Sequence, residues 1–446
     1  MASPSTAGPA HRVQSAVEVY GYPRGHLGHL TPEEEEALNN FKALCQENGY
    51  YSPGNGDSEP PSHDDATMLR YLRARRFVVQ DAWKQFHSTE NWRKATQLDQ
   101  LYETIDLDHY EETRRLYPQW TGRRDRRGIP VYVYEVKYLN SKTMSAYEKS
   151  AKETKTKAET DGKTPAKMLR LFALYENLVR FVMPFCSTLK DRDYAETPIT
   201  QSNNIVDISG VGLKQFWNLR THMQDASTLA TAHYPETLDR IFIIGAPVFF
   251  PTVWGWIKKW FDPITTSKIF IISHSEVYKT LTAFIDPANI PKKYGGELDF
   301  KFGDMPVPDP AWKDALQWQG DFANFPGGPL YWVHGDEDKI EALAVGSTQE
   351  HQRKEVVCII GNPPAAEYKP PNGHAVEGKA PRDTVAQNSN IVTATTEGLD
   401  GLTLNEKIGG LPNDAVPVLT EDAGNLDISV GAEANVGQDT REEVKA

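Results

Sequence analysis

"RIFIIGAPVFFPTVWGWIKKWFDPITTSKIFIIS", residues 240–273, decides the fold. Its two ends, "RIFIIGAP" and "KIFIIS", are short apolar runs rich in isoleucine, the pattern of strands buried on both faces. Between them stand Phe249, Phe250, Trp254, Trp256, Trp260 and Phe261, interrupted by Gly255 and followed by Lys258 and Lys259. Set on a helix, Phe250, Val253, Trp254, Ile257, Trp260 and Phe261 form one apolar stripe, with the lysines off its centre. A helix over 251–261 spans only about 16 Å, too short for a bilayer core of about 30 Å. Taken alone, the stretch favours a buried core helix whose lysines snorkel. It also suits a surface that alternately covers a cavity and lies in a membrane interface. Gly255 costs a helix interior about 1 kcal/mol relative to alanine, a cost that only a bending helix has use for. Gly245 with Pro247 marks one hinge, and Asp262 with Pro263 another.

Working outward, "NNIVDISG" (203–210) and "GIPVYVYEV" (128–136) read as further strands. "AKMLRLFALYENLVRFVMPFC" (166–186) and "VGLKQFWNLRTHMQDASTLATAHYPETL" (211–238) read as helices between them. Apolar strands separated by helices indicate βαβ units and an α/β fold with a parallel or mixed sheet. Further upstream, Thr31 is an N-cap, Pro32 fits the first turn, and the glutamates after it suit the positive end of the helix. Met68, Leu69, Leu72, Ala82, Trp83, Phe86 and Trp92 then recur at helical spacing. The expected organisation is an irregular extension (1–30), a helical subdomain (31–98), an α/β domain (105–300), an addition of β character (301–360) and a tail (361–446).

The chain carries 61 acidic and 48 basic residues, a net charge of −13. Residues 361–446 hold 14 acidic and 6 basic side chains, so −8 lies there and −5 in the remainder. Lys369 to the end contains no Phe, Trp or Tyr, a composition that cannot bury enough surface to fold alone. The acidity argues against nucleic acid as partner without excluding a local basic pocket. Three scattered cysteines, Cys45, Cys186 and Cys358, match no metal-ligand spacing and suit buried thiols in a cytosolic protein. The N-terminus lacks the apolar core of a signal peptide, and no run is long enough for a transmembrane helix. There is no phosphate loop, no dinucleotide fingerprint, no nucleophile elbow and no zinc motif. A binding module therefore ranks above an enzyme.

"LRYLRARRFVVQDAW", "GIPVYVYE", "NNIVDISG", "HYPETLDRIFIIGAP" and "FDPITTSKIFIIS" fall in the order and spacing of a CRAL-TRIO lipid-binding domain. Over residues 60–300 the chain resembles fungal phosphatidylinositol/phosphatidylcholine transfer proteins of the Sec14 type. The resemblance implies a CRAL-TRIO fold whose sheet and helices enclose an apolar lipid cavity, closed by a mobile gate helix at residues 247–263. It implies a non-enzymatic, monomeric carrier without metal or cofactor, cytoplasmic and peripheral at Golgi, endosomal or other membranes. Its ligand would be phosphatidylinositol, exchanged between membranes or presented to a phosphatidylinositol kinase; the alternatives are a lipid-sensing scaffold whose acidic tail binds a protein partner and, ranked lower, an enzyme acting on lipids. Matching the family position by position, Arg75, Arg76, Glu236, Thr265 and Lys268 would hold the phosphatidylinositol headgroup. Cations suit the phosphodiester, and a carboxylate with short polar groups suits a hydroxyl-rich inositol. Tyr132 and Ser202 match the second, phosphatidylcholine site. There Thr121 replaces a tyrosine and Asn204 a threonine, so choline specificity is in question and another phospholipid or a sterol fits as well.

Overall fold

The computed structural model describes residues 22–55, 60–160, 162–258, 266–334, 339–349 and 351–361. The acidic tail beyond Gly361, the first 21 residues and Trp260, Phe261 and Thr265 lie outside the described residues.

Helix α1 (Pro32–Glu47) begins with a full capping box: the Glu34 amide donates to Thr31 Oγ1, and the Thr31 amide to the Glu34 carboxylate. It packs through Phe41 and Cys45 on α2 (Asp65–Ala74) and α3 (Val79–Ala95), which contribute Leu69, Leu72 and Phe86. What reads in sequence as one helical run breaks between α2 and α3. Arg76 and Phe77 adopt left-handed backbone (φ 51° and 60°), and the Phe77 amide donates to the Leu72 carbonyl. Helices α4 (Leu98–Thr104) and α5 (Leu107–Arg114) lead into the sheet.

Strand β1 (Gln119–Arg124) runs antiparallel to β2 (Pro130–Glu135). After α6 (Ser141–Ala151), α7 (Ala166–Asn177) continues through a wide π turn at Leu178–Val182 into α8 (Met183–Thr188). Then follow β3 (Ser202–Asp207), α9 (Leu213–Asn218), α10 (Arg220–His233), β4 (Leu238–Ile244), α11 (Phe250–Ile257), β5 (Ile269–Ile272) and α12 (Val277–Phe284). The strands lie in the order β1-β2-β3-β4-β5, with β2 to β5 mutually parallel. A sheet laid down in one direction with right-handed crossovers places all its crossover helices on one face. Val131, Val133, Ile205, Phe242, Ile244 and Ile272 fill the other face against Leu281 and Ile285 of the α12 segment.

Residues 301–361 carry a four-stranded antiparallel sheet ordered β6-β9-β8-β7: β6 (Leu316–Trp318), β7 (Leu330–His334), β8 (Ile340–Thr348) and β9 (His351–Ile360). Aromatic stacking joins it to the first domain. Trp312 lies 3.8 Å from Phe185 in near-parallel stacking, and its Nε1 donates to Thr188.

Candidate functional site: a half-open apolar wall, a gate and a charged seam

The crossover side of the sheet is packed differently from the α12 side. Along β2 to β5 the residues facing α12 are nearly all sealed, whereas their alternates stay partly accessible. Register aligns these alternates in two rows. Tyr132, Asn204, Ile241 and Ile269 stand side by side across four strands, and Tyr134, Val206, Ile243 and Ile271 form the next row. Of the second row only Ile243 is buried. Tyr175 of α7 is partly accessible too, yet burial pushes its phenol up to about 12 and raises that of Tyr134. These side chains lie inside the domain, packed against the cluster of Ile243, Phe250 and Val253, yet are not fully sealed, which makes them the candidate lining of a recess.

The segment after β4 covers this wall. Gly245 (φ 69°) turns the chain against Ser209, where a Cβ would collide with the serine side chain. The Phe250 amide then donates to the Pro247 carbonyl and α11 begins. Phe250 and Val253 are buried, Trp254 is half-buried, and Phe250 packs 5.9 Å from Phe216 of α9. Helix α11 spans eight residues, about 12 Å. Lys258 is exposed, as its place off the stripe predicts. A Cβ built on Gly255 meets no heavy atom within 4 Å, so packing does not require glycine there.

A charged seam lies where the helical subdomain meets the sheet. Gln85 donates to the Thr231 and Ala232 carbonyls and Tyr71 to that of His233, which docks α2 and α3 on the end of α10. The chain next turns at Glu236 (φ 56°), whose carboxylate pairs with Lys268 Nζ at 3.3 Å. Lys268 also donates to the Leu238 carbonyl at 3.0 Å. Arg75 caps α2 half-buried, and Arg76 is exposed; among the described residues neither guanidinium has a hydrogen-bond or ion-pair partner. The structure therefore joins Glu236 with Lys268 and shows, among the described residues, no contact between that pair and Arg75 or Arg76; the arginine that feels the Glu236 charge is Arg73.

Known proteins share this architecture. A model of the CRAL/TRIO domain matches residues 114–296, and one of the CRAL/TRIO N-terminal domain matches residues 37–88. The "SEC14 cytosolic factor" of Kluyveromyces lactis is 32% identical over 278 residues, covering 62% of this chain and 82% of that protein. The chain belongs to the CRAL/TRIO family. Its Yarrowia lipolytica "SEC14 cytosolic factor" relative is 33% identical over 66% of this chain but only 54% of that protein. The "Phosphatidylinositol/phosphatidylcholine transfer protein SFH7" of Arabidopsis thaliana is 34% identical over 54% of this chain and 41% of its own length. Among solved structures, Sfh5 aligns with a TM-score of 0.45 at 14% identity, over 62% of this chain and 91% of that one.

Within this CRAL/TRIO chain the candidate residues for a second ligand divide. Tyr132 and Asn204 are direct register neighbours on the recess side, and Asn204 Nδ2 reaches the buried Ser202 hydroxyl at 3.5 Å. Thr121 does not join them. It follows Trp120, which pairs with Tyr132, so it faces away, and its hydroxyl donates to the Val131 carbonyl. Two contributors escaped the sequence reading. One is the row of Tyr134, Val206 and Ile271. The other is Arg73, inside the seam, with Nη2 3.4 Å from Thr200 Oγ1 and with Nε and Nη1 unpartnered. Burial lowers its guanidinium to about 10 against the opposing field of Glu236. Among the described residues no group of three His, Cys, Asp or Glu side chains is placed to hold a metal ion, and no helix is long and apolar enough to cross a membrane.

Proposed function

We propose that this CRAL/TRIO chain is a phosphatidylinositol-binding lipid transfer protein, a carrier that performs no catalysis. It takes one phospholipid into the recess behind α11, releases it at a second membrane, or presents it there to a lipid kinase. The observation that carries this reading is the two-row wall, apolar and partly accessible inside the domain while its opposite face is sealed. Two acyl chains hold roughly 30 methylenes at about 0.8 kcal/mol each, so exposing them to water costs on the order of 24 kcal/mol. A dry wall that substitutes for the bilayer removes most of that barrier. The names of the relatives, cytosolic factors and phosphatidylinositol/phosphatidylcholine transfer proteins, support the same reading.

In this proposal Arg75, Arg76 and Lys268 hold the phosphodiester, and Glu236 and Thr265 bind the inositol hydroxyls. Tyr132, Ser202 and Asn204 contact a second lipid. Its headgroup is not fixed as choline, because Thr121 brings no aromatic face to that side of the sheet. The carrier acts as a cytoplasmic monomer that visits membranes transiently. Transfer of labelled phosphatidylinositol between vesicles tests the site. Removing one charge-assisted contact worth about 1.5–3 kcal/mol should slow Lys268→Ala by roughly 10- to 150-fold. Transfer by Lys268→Ala at the wild-type rate refutes the assignment.

A further inference from the structure

Helix α9 breaks the usual division between an apolar inside and a polar outside. Phe216 and Leu219 point inward and are buried, as a surface helix requires. The outward positions nevertheless carry Leu213, 51% exposed, and Trp217, 59% exposed. Leu213 and Trp217, spaced i and i+4, share one face of α9, and Arg220, the first residue of α10, follows across the Leu219 turn. The Arg220 guanidinium stands 5.7 Å over the Trp217 ring. Phe216 anchors this helix against Phe249 and Phe250, so the patch adjoins the α11 hinge, where Val248 is 100% exposed.

Charge follows the same outline. The chain has 61 acidic residues among 446, about one in seven, yet none occurs in residues 208–224 or 240–261. These two segments meet at the Phe216 contact, so the stretches that carry the exposed aromatic and aliphatic side chains contribute no carboxylate of their own. Lys214 and Arg220 are exposed there, and neither has a carboxylate within 4 Å among the described residues. An apolar patch rimmed by unpaired cations, in a chain whose net charge is −13, is complementary to a surface that is apolar below and anionic above.

We propose that the outer face of α9, with Val248, is a docking surface for an anionic lipid bilayer. Trp217 and Leu213 enter the interface, and Lys214 and Arg220 meet the lipid headgroups. The inference extends the proposed carrier function by fixing which face meets the membrane: a fixed anchor beside the moving segment, holding the mouth of the recess to the bilayer while α11 shifts. All four residues are exposed and none belongs to a core cluster, so their replacement leaves the core intact.

The test is co-sedimentation of the full chain with vesicles of phosphatidylcholine alone or containing about 30 mol % phosphatidylserine. Each cation near such a surface is worth about 1 kcal/mol, or roughly 5-fold, so Lys214→Gln with Arg220→Gln should bind the anionic vesicles roughly 30-fold more weakly. Trp217→Ala should weaken binding to both vesicle types. Wild-type binding by these variants overturns the inference. So does a wild-type chain that ignores anionic vesicles, or one that uses this face only to associate with a second copy or another protein. Native mass spectrometry of the same samples separates the two readings. Variants that lose vesicle binding but keep bound phospholipid support the anchor. A wild type that binds vesicles but carries no lipid leaves the anchor standing and removes the carrier.

Discussion

If α11 is a gate, its hinge should respond to Gly245 and Gly255 in opposite directions. At Gly245 the backbone has φ 69°, where an L-residue other than glycine costs about 1–2 kcal/mol. A Cβ there would also overlap Ser209 Oγ and lie 2.8 Å from Ser209 Cβ and 2.9 Å from its backbone nitrogen. Because one of those atoms is main chain, a rotamer change cannot clear the contact, and the hinge must open. Taking about 2 kcal/mol as the combined cost, Gly245→Ala should lower the population of the observed arrangement about 30-fold. At Gly255 the built Cβ meets nothing within 4 Å. Gly255→Ala should therefore simply gain helix propensity, about 1 kcal/mol or roughly 5-fold. Limited tryptic cleavage after Lys258 and Lys259 reads this balance when opening is fast compared with cutting. Cleavage should be faster in Gly245→Ala and slower in Gly255→Ala, by about those factors. Adding Ser209→Gly to Gly245→Ala removes the side-chain overlap and should restore part of the protection. Cleavage of Gly245→Ala no faster than wild type, or a shift of the two variants in the same direction, would rule out a hinge at Gly245.

Three further predictions concern stability, the tail and the second sheet. Burial, reinforced by Lys167 at His222 and by Arg93 at His233, lowers both imidazoles from 6.5 to about 4. The unfolded chain therefore binds these protons first. Stability is complete above about pH 6.5 and falls toward pH 4 by about 1.4 kcal/mol per pH unit per histidine. Thermal unfolding should show a lower midpoint at pH 5 than at pH 7, and His222→Gln should flatten that dependence; equal midpoints for the wild type contradict it. A chain ending at residue 361 should transfer lipid like the full chain. One ending at residue 300 loses Trp312 from its stack on Phe185, at a cost of about 3–5 kcal/mol for a buried tryptophan, and should unfold at lower temperature.

Much of the parallel sheet was legible because β2 to β5 are apolar runs bounded by turn residues. Strand β1, "QWTGRR", was not. Its arginines are buried, and Arg124 is held by Asp191 and Asp309, 67 and 185 residues away, which no local pattern reports. The break after α2 was equally hidden, since Arg76 and Phe77 are not residues that announce left-handed backbone. For the site, the aromatic segment and its glycines could be read directly from composition and spacing. The Glu236–Lys268 pair came only through family resemblance, and the structure places the two partners together across 32 residues. "RYLRARRF" offers four arginines, and only the docking of α2 shows that Arg70 and Arg73 turn inward while Arg76 stays exposed. The wall was hidden for a different reason. Strands apolar on both faces do not reveal which face is sealed, and register had to decide it.

In the proposed carrier, the space beneath α11 houses the hydrocarbon tails of one phospholipid. Native mass spectrometry of the freshly purified full chain tests it most directly. The expected spectrum is a protein peak displaced by the mass of a single phospholipid, identified as phosphatidylinositol on dissociation after incubation with mixed vesicles. A chain that stays at its bare mass after such incubation, at every protein-to-lipid ratio, would contradict the account.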